Sequence, residues 1–161
     1  MECVYPGSFD PVTVGHENVI RRLDRMFDRV IVGVLHNPDK TGCFTVSERI
    51  GMLESCLKGL KHVEILSWDG LLVDLMKKTG VRVAVRGFRN MSDVEAEKAM
   101  LRINALLLPG METLLIPCEP HLEAVSSSVV RQVASFGGDI SALVPAACLE
   151  AVRNRFKKEI L

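Results

Sequence analysis

The chain has 161 residues, 48% of them hydrophobic and 5% aromatic, and its 20 basic side chains balance 20 acidic ones. That length suits one globular domain with an aliphatic core. Zero formal net charge argues against a protein that binds nucleic acid or a membrane surface through a basic field. No apolar run reaches the ~18 residues of a membrane span, and no signal-peptide pattern is evident. Five scattered cysteines without C-x-x-C spacing indicate reduced thiols, so we expect a cytoplasmic protein.

Short apolar runs rich in β-branched residues alternate with longer segments of helical period. Several of the short runs are nearly all apolar, which is typical of parallel strands covered by helices on both faces. In chain order, the sequence predicts strands at Cys3–Tyr5, Val30–Leu35, Val63–Leu66, Val81–Val85 and Thr113–Ile116.

Six helices are predicted between and after these strands. Thr45 with Glu48, and Ser92 with Glu95, have the spacing of a capping box. Met26 extends the apolar face of the first helix. In chain order, the helices cover His16–Met26, a segment that begins after Thr45, Leu71–Lys78, Ser92–Leu107, a segment from Ser126 to just before Gly137, and a C-terminal segment from Pro145.

The alternation of strand and helix predicts right-handed βαβ crossovers. We therefore expect an α/β protein, a single doubly wound Rossmann-like domain over residues 1–161 with a five-stranded parallel sheet. In such sheets ligands bind beyond the carboxyl ends of the strands, where the strand order reverses. Motifs directly after strands are therefore the first candidates for a functional site.

The first such motif is Y-P-G-S-F-D-P-V-T-V-G-H at Tyr5–His16, which leaves the first strand and enters the first helix. Glycine permits close approach of a phosphate to the backbone, and the amides at a helix start attract anions. Ser8 adds a hydroxyl group, and Thr13 and His16 stand at the helix start. The alternative is a Pro/Gly-rich turn with a capping threonine and a surface histidine.

Two further motifs also suit anion binding. R-G-F-R at Arg86–Arg89 follows the fourth strand, where guanidinium groups can bind phosphate oxygens in pairs. V-S-S-S at Val125–Ser128 opens the fifth helix, where hydroxyls and free amides form an anion cradle. Taken alone, the first is usually a solvated loop and the second an ordinary serine cap. Arg131 either assists this cradle or lies on an exposed helix surface.

Thr13–His16 is similar to the T/H-x-G-H signature of the nucleotidyltransferase superfamily, which shares the HIGH motif with class I aminoacyl-tRNA synthetases. The chain is too short for the tRNA-binding domains of a synthetase. Together with R-G-F-R and V-S-S-S, the run at Tyr5–His16 resembles the phosphopantetheine adenylyltransferases specifically, with the motifs in the same order. The resemblance implies transfer of adenylyl from ATP to 4′-phosphopantetheine, giving dephospho-coenzyme A and pyrophosphate in coenzyme A biosynthesis.

The resemblance also implies roles for individual residues. His16 would contact the α-phosphate and stabilise the transition state. From the residues alone, Lys40 could be a solvated loop lysine, Leu72 a core residue and Glu97 an exposed helix acid. Residues implied to bind 4′-phosphopantetheine are Ser8, Lys40, Leu72 and Arg86. Residues implied to bind ATP are Ser8, Phe9, His16, Gly87, Phe88, Arg89, Glu97, Ser126, Ser127 and Ser128.

The sequence contains no set of residues with metal-ligand spacing, so we expect Mg²⁺ to arrive with ATP. Neither a G-x-S-x-G elbow nor a Cys–His arrangement suggests a protein nucleophile. The resemblance further implies a homohexamer and feedback inhibition by coenzyme A.

The chain departs from the family pattern in two places. Residues 122–124 read L-E-A where the family usually has an aromatic residue, and Val94 and Ala105 replace an aromatic and an arginine. Two alternatives stay open: another nucleotidyltransferase, acting on nicotinamide nucleotide or using CTP, and a noncatalytic sensor of coenzyme A or nucleotide. The combined motifs favour the phosphopantetheine branch, and His16, Lys40 and Arg86 together favour an enzyme.

Overall fold

Strands and helices alternate along the chain as the sequence predicts. The computed structural model describes residues 1–36 and 41–157, and no helix in those ranges is long and apolar enough to cross a lipid bilayer. The strands are β1 (Glu2–Gly7), β2 (Arg29–His36), β3 (Val63–Asp69), β4 (Val83–Phe88) and β5 (Glu112–Pro117). The helices are α1 (Val14–Met26), α2 (Val46–Cys56), α3 (Leu72–Thr79), α4 (Met91–Leu107), α5 (Ser127–Ser135) and α6 (Leu149–Phe156).

β1 lies at the centre of an all-parallel sheet with the order β3-β2-β1-β4-β5, which confirms the predicted fold class. It pairs with β2 along its whole length, from Glu2 to Gly7, but with β4 only at Val4 opposite Ala84. The chain order reverses between β1 and β4. Their carboxyl ends, at Gly7 and Phe88, therefore flank the place where ligands bind in doubly wound sheets.

Two apolar cores cover the two faces of the sheet. Side chains of β1 alternate between them, with Cys3 and Tyr5 in the core under α1, α2, α5 and α6, and Val4 in the core under α3. Gly33 of β2 allows α3 to pack closely, since an added Cβ would lie 2.9 Å from Leu75 Cδ2. The sheet is therefore buried on both sides, and its carboxyl edge remains for ligands.

The start of α4 differs from the sequence prediction. Asn90 is its N-cap, and the Asn90 side-chain oxygen accepts a hydrogen bond from the Asp93 backbone N–H at 3.1 Å. The predicted capping box of Ser92 and Glu95 is therefore wrong. Asparagine caps a helix as well as serine does and stands two residues earlier, which leaves Glu95 to pair with Lys98.

Two other predictions require correction. Met26 is 59% exposed, because α1 ends there, although the next residue, Phe27, is only 5% exposed. The fourth strand starts later than predicted and runs through Phe88. The R-G-F segment belongs to this strand and does not follow it, because residues 86–88 continue the ladder with β5.

Candidate active site

Two cavities open at the carboxyl ends of β1 and β4. The central cavity, of about 290 Å³, is bounded by the β1–α1 loop, the end of β4 and the starts of α4 and α5. Its motif residues are Thr13, Gly15, His16, Gly87, Phe88, Arg89, Ser126 and Ser127. The side cavity, of about 420 Å³, extends towards α3 and is lined in part by Leu72, Arg86 and Asn104. Ala96 and Glu97 of α4 line both cavities.

The β1–α1 loop is anchored to the segment before α2 through Asp10. Its carboxylate accepts hydrogen bonds from the backbone amides of Cys43 and Phe44, both at 2.8 Å. Arg49 is 5% exposed, and its Nε lies 3.4 Å from Asp10 Oδ1 while donating to the Phe44 carbonyl at 2.8 Å. Gly42 leaves room for this guanidinium, since an added Cβ would lie 1.8 Å from Arg49 Nη2. A buried ion pair therefore sets the shape of the loop.

The same loop is tied to α5 on its other side. Arg131 donates to the backbone carbonyl of Asp10, and also to Ser128 Oγ at 3.3 Å. Ser127 Oγ donates to the backbone carbonyl of Pro11 at 2.8 Å. Arg131 therefore holds the β1–α1 loop in position, a role that differs from both alternatives considered from the sequence.

A reciprocal capping box fixes His16 in the first turn of α1. Thr13 Oγ1 accepts a hydrogen bond from the His16 backbone N–H at 3.3 Å, and the Thr13 backbone N–H donates to His16 Nδ1 at 3.0 Å. Because Nδ1 accepts this hydrogen bond, the proton of the neutral imidazole lies on Nε2. Phe9 packs edge-on against the imidazole, with ring centroids 5.0 Å apart. His16 thus lines the central cavity with one N–H donor available.

The surroundings of His16 also determine its charge. Burial, reinforced by the positive charges of Arg86 and Arg89, lowers the pKa of the imidazole to about 4. His16 is therefore neutral at pH 7 and acts as a hydrogen-bond donor. Tyr5 lines the same cavity, and burial raises its pKa to about 12 against the opposing effect of Arg86, so its phenol keeps its proton.

Both arginines of the R-G-F-R motif are held by carboxylates of α4. Arg86 donates from Nε and Nη2 to Glu97 at 3.0 and 2.6 Å, and from Nη1 to the Pro6 carbonyl at 2.7 Å. Arg89 donates from Nε and Nη2 to Asp93, both at 2.9 Å, and hydrogen bonding from Arg89 lowers the pKa of Asp93. Within residues 1–36 and 41–157, no three His, Cys, Asp or Glu side chains are grouped to hold a metal ion.

The start of α5 offers backbone amides to the central cavity. The Ser126 hydroxyl accepts a hydrogen bond from the Val129 N–H at 3.2 Å, and the Ser127 hydroxyl is bonded to the β1–α1 loop. An anion at this helix start would therefore be bound by the free N–H groups of the first turn and by the helix dipole. Across the cavity, an added Cβ at Gly15 would meet only Thr13 Oγ1, at 3.5 Å. The missing side chain keeps the starts of α1 and α5 open to one common ligand.

The side cavity combines apolar and polar walls. Leu72 lines it and also packs against the core under α3. Its position is therefore compatible both with core packing and with contact to a ligand in the cavity. Asn104, which is 7% exposed, and Thr113 add polar side chains. Arg86 lines the side cavity and is hydrogen-bonded to Glu97, which lines both cavities. The cavity therefore suits a ligand with an apolar and amide-containing arm and an anionic end.

Some predicted residues lie outside these cavity walls. Ser8 is exposed, and Ser128 is exposed and engaged by its bond to Arg131. Phe9 is 1% exposed with a φ of 50°, and its ring fills the space beside Gly7, where an added Cβ would lie 2.8 Å from Phe9 Cζ. Lys40 lies outside the described residues.

The departure from the family pattern at residues 122–124 changes one wall of the central cavity. Leu122, 7% exposed, and Val125, 9% exposed, line that wall. The Cys118 thiol lies on the same side, and burial raises its pKa. An aliphatic surface with one protonated thiol therefore stands at this end of the cavity.

The functional residues that the sequence did not predict are mostly charged side chains that position other parts of the site through ion pairs. Asp10 lay inside the first motif without a role, and its partner Arg49 is 39 positions away, a distance that produces no local pattern. Asp93 could have been found, because it stands four residues after Arg89 and oppositely charged residues at that spacing commonly pair.

An open α/β sheet with a T-x-G-H loop and a helix start at its switch point defines a nucleotidyltransferase. In agreement, the profile of the cytidylyltransferase-like family matches residues 4–133. The chain is 45% identical over 149 residues to a phosphopantetheine adenylyltransferase of Clostridium tetani, covering 92% of this chain and 93% of that one. It is 44% identical over 156 residues to a phosphopantetheine adenylyltransferase of Synechococcus, covering 97% and 98%. The chain therefore belongs to the phosphopantetheine adenylyltransferase family.

A solved structure supports the fold independently. The Plasmodium falciparum nicotinic acid mononucleotide adenylyltransferase complexed with NaAD matches with a TM-score of 0.64, covering 96% of this chain and 93% of that chain. At 18% sequence identity, this likeness concerns the fold alone.

Proposed function

We propose that this chain adenylylates 4′-phosphopantetheine with ATP at the two cavities described above. The observation that carries the proposal is their shared wall, where Arg86 faces the side cavity and Glu97 faces both. A reaction that joins two phosphates needs two anion sites in contact, with a donor between them. His16, with its proton on Nε2, supplies that donor in the central cavity.

ATP would occupy the central cavity. Its triphosphate would lie between the starts of α1 and α5, near Gly15, Ser127 and Arg89, and its base against Leu122. Among the other residues implied by the resemblance, Gly87, Phe88 and Ser126 line this cavity. Phe9, whose ring is buried, would contact ATP only through its backbone, and Ser8 and Ser128 would have to approach from outside the cavity wall.

4′-Phosphopantetheine would occupy the side cavity, with its arm against Leu72 and Asn104 and its phosphate on Arg86. Lys40 and Ser8 remain proposed ligands of that phosphate. The phosphate oxygen attacks the α-phosphorus of ATP in line, and the bond to pyrophosphate breaks on the opposite side. The nucleophile is already anionic, so no protein base is required, and the chain contributes position and charge stabilisation.

His16 would donate its Nε2–H to the α-phosphate as charge develops there. A neutral donor suits this position, because a cationic imidazole would be opposed by Arg86 and Arg89. The substrate is proposed to be the magnesium complex of ATP, in which Mg²⁺ binds phosphate oxygens and water. Nucleotidyltransferases generally use a divalent metal ion, and Mg²⁺ is the one proposed here.

Further proposals concern partners and location. Coenzyme A contains a pantetheine arm and an adenine nucleotide, so it would compete for both cavities as a feedback inhibitor. A homohexamer, implied by the family resemblance, is supported by the exposed apolar side chains Met100, Ile103 and Leu107 along α4. We also propose a cytoplasmic location without nucleic-acid or membrane partners. Light scattering tests the assembly, and competition by coenzyme A against each substrate tests the inhibition.

The reaction is tested by measuring pyrophosphate release for a matrix of substrate pairs. ATP with 4′-phosphopantetheine should release pyrophosphate. ATP with nicotinamide mononucleotide, and CTP with 4′-phosphopantetheine, should release at least about 100-fold less, and mismatched buried polar groups would extend the difference to about 10⁴–10⁵. Pyrophosphate release with nicotinamide mononucleotide instead would assign the chain to a different acceptor. Binding of coenzyme A without turnover of any pair would indicate a sensor.

A further inference from the structure

We propose that Glu97 is an exchangeable counter-ion of Arg86, which the phosphate of 4′-phosphopantetheine must displace or bind beside. Glu97 thereby determines which phosphate ligands reach Arg86. This role differs from the nucleotide contact that the family resemblance implies for Glu97, and it rests on the proposed function of the side cavity.

The guanidinium of Arg86 is already engaged on two sides. Its Nε and Nη2 edge, the edge that usually grips a phosphate or carboxylate in pairs, is occupied by both oxygens of Glu97. Its Nη1 donates to the carbonyl of Pro6. An arriving phosphate must therefore displace Glu97, or use the remaining N–H groups next to a carboxylate of like charge.

Both routes make phosphate binding weaker than it would be to a free arginine. The two side chains are each 30% exposed, so solvent screens their attraction only in part. A ligand that also fills the side cavity gains contacts with Leu72 and Asn104 that offset this competition. A small anion has no such contacts. Glu97 should therefore exclude small phosphate ligands more strongly than it excludes 4′-phosphopantetheine.

Glu97→Gln tests this directly, because glutamine keeps the shape of the side chain and removes its charge. We expect the Kd of 4′-phosphopantetheine, measured by calorimetry, to fall about 3- to 10-fold, and that of inorganic phosphate to fall at least as much. Pantetheine, which lacks the phosphate, should bind with unchanged affinity. Glu95→Gln is the matched control on the same helix: Glu95 is exposed and pairs only with Lys98 among the described residues, so its loss should change none of these values.

An unchanged or weaker affinity of Glu97→Gln for 4′-phosphopantetheine would overturn the inference, since Glu97 would then be orienting Arg86 rather than competing for it. The double variant Arg86→Gln/Glu97→Gln, compared with Arg86→Gln alone, guards against a general change in packing. Without Arg86, the Glu97→Gln substitution should no longer increase the affinity for 4′-phosphopantetheine. An increase that persists in the double variant would also refute the inference. Absence of 4′-phosphopantetheine binding to the unsubstituted chain would instead refute the proposed function, and the inference with it.

Discussion

His16→Asn separates the two roles that the structure gives to His16. The asparagine Oδ1 can take the place of Nδ1 and accept the hydrogen bond that the Thr13 backbone N–H donates at 3.0 Å. No atom of asparagine reaches the position of Nε2, so the donor to the α-phosphate is lost. Removing one preorganised donor of this kind costs about 10²–10³ in kcat, or about 2.7–4 kcal/mol. We expect that loss in turnover with little change in stability.

His16→Ala removes the donor and the capping interaction together. Its kcat should fall as far as that of His16→Asn. Its free energy of unfolding should fall by about 1 kcal/mol more, because the Thr13 backbone N–H loses its side-chain hydrogen-bond acceptor. For a chain of this size that difference corresponds to roughly 2–4 °C in Tm. The two variants should therefore be equal in activity but distinguishable by thermal unfolding.

The depressed pKa of His16 adds a dependence on pH. The imidazole has a pKa of about 4 in the folded chain against 6.5 ordinarily, so between these values the unfolded chain binds the proton and the folded chain does not. Stability from this group is therefore complete above pH 6.5 and is lost as pH falls towards 4, by about 3 kcal/mol. His16→Asn should flatten this part of the stability profile.

Steady-state kinetics and urea unfolding at several pH values measure all of these quantities. The kcat of the unsubstituted chain should not change through titration of His16 between pH 6 and pH 9. A His16→Asn variant with turnover within tenfold of the unsubstituted chain would refute the donor role. A change of kcat with an apparent pKa near 6.5 that is absent from that variant would refute the claim that the His16 imidazole is neutral at pH 7.

Three further changes probe the scaffold. Arg131→Met removes the hydrogen bonds that hold the Asp10 carbonyl, so kcat/KM for ATP should fall about 10-fold in steady-state assays; unchanged kinetics would contradict its positioning role. Arg49→Met leaves the Asp10 carboxylate without its buried cation and should cost about 3 kcal/mol in urea unfolding, whereas a loss below about 0.5 kcal/mol would show that this ion pair does not stabilise the loop. Leu53→Ala, at a fully buried position of α2, should cost about 2–5 kcal/mol without changing KM for either substrate, and a raised KM would show that α2 also shapes the site.

Much of the fold was predictable because its signals are local. The apolar runs predicted all five strands, and Thr45 with Glu48 predicted the start of α2. Gly80, in the left-handed region with a φ of 76°, ends α3 as glycine commonly does. The error at α4 arose where two local signals competed, since Asn90 and Ser92 both suit a cap.

The site residues that belong to short contiguous motifs were predictable from the sequence. Gly15, His16 and Arg89 all line the central cavity, and short motifs indicated each of them. The pairs that hold the site together were not predictable, because Arg49 and Asp10 meet only after the sheet has formed. The ion pair of Arg86 and Glu97 likewise depends on how α4 packs beside β4, and no spacing in the sequence reveals that packing.

The fate of the α-phosphorus tests adenylyl transfer most directly. The chain is to be incubated with [α-³²P]ATP, Mg²⁺ and 4′-phosphopantetheine, and the products separated. We expect the label in dephospho-coenzyme A, with an equal amount of unlabelled pyrophosphate and no label on the protein. Label that remains in ATP, or that becomes attached to the protein, would contradict direct transfer between the two cavities.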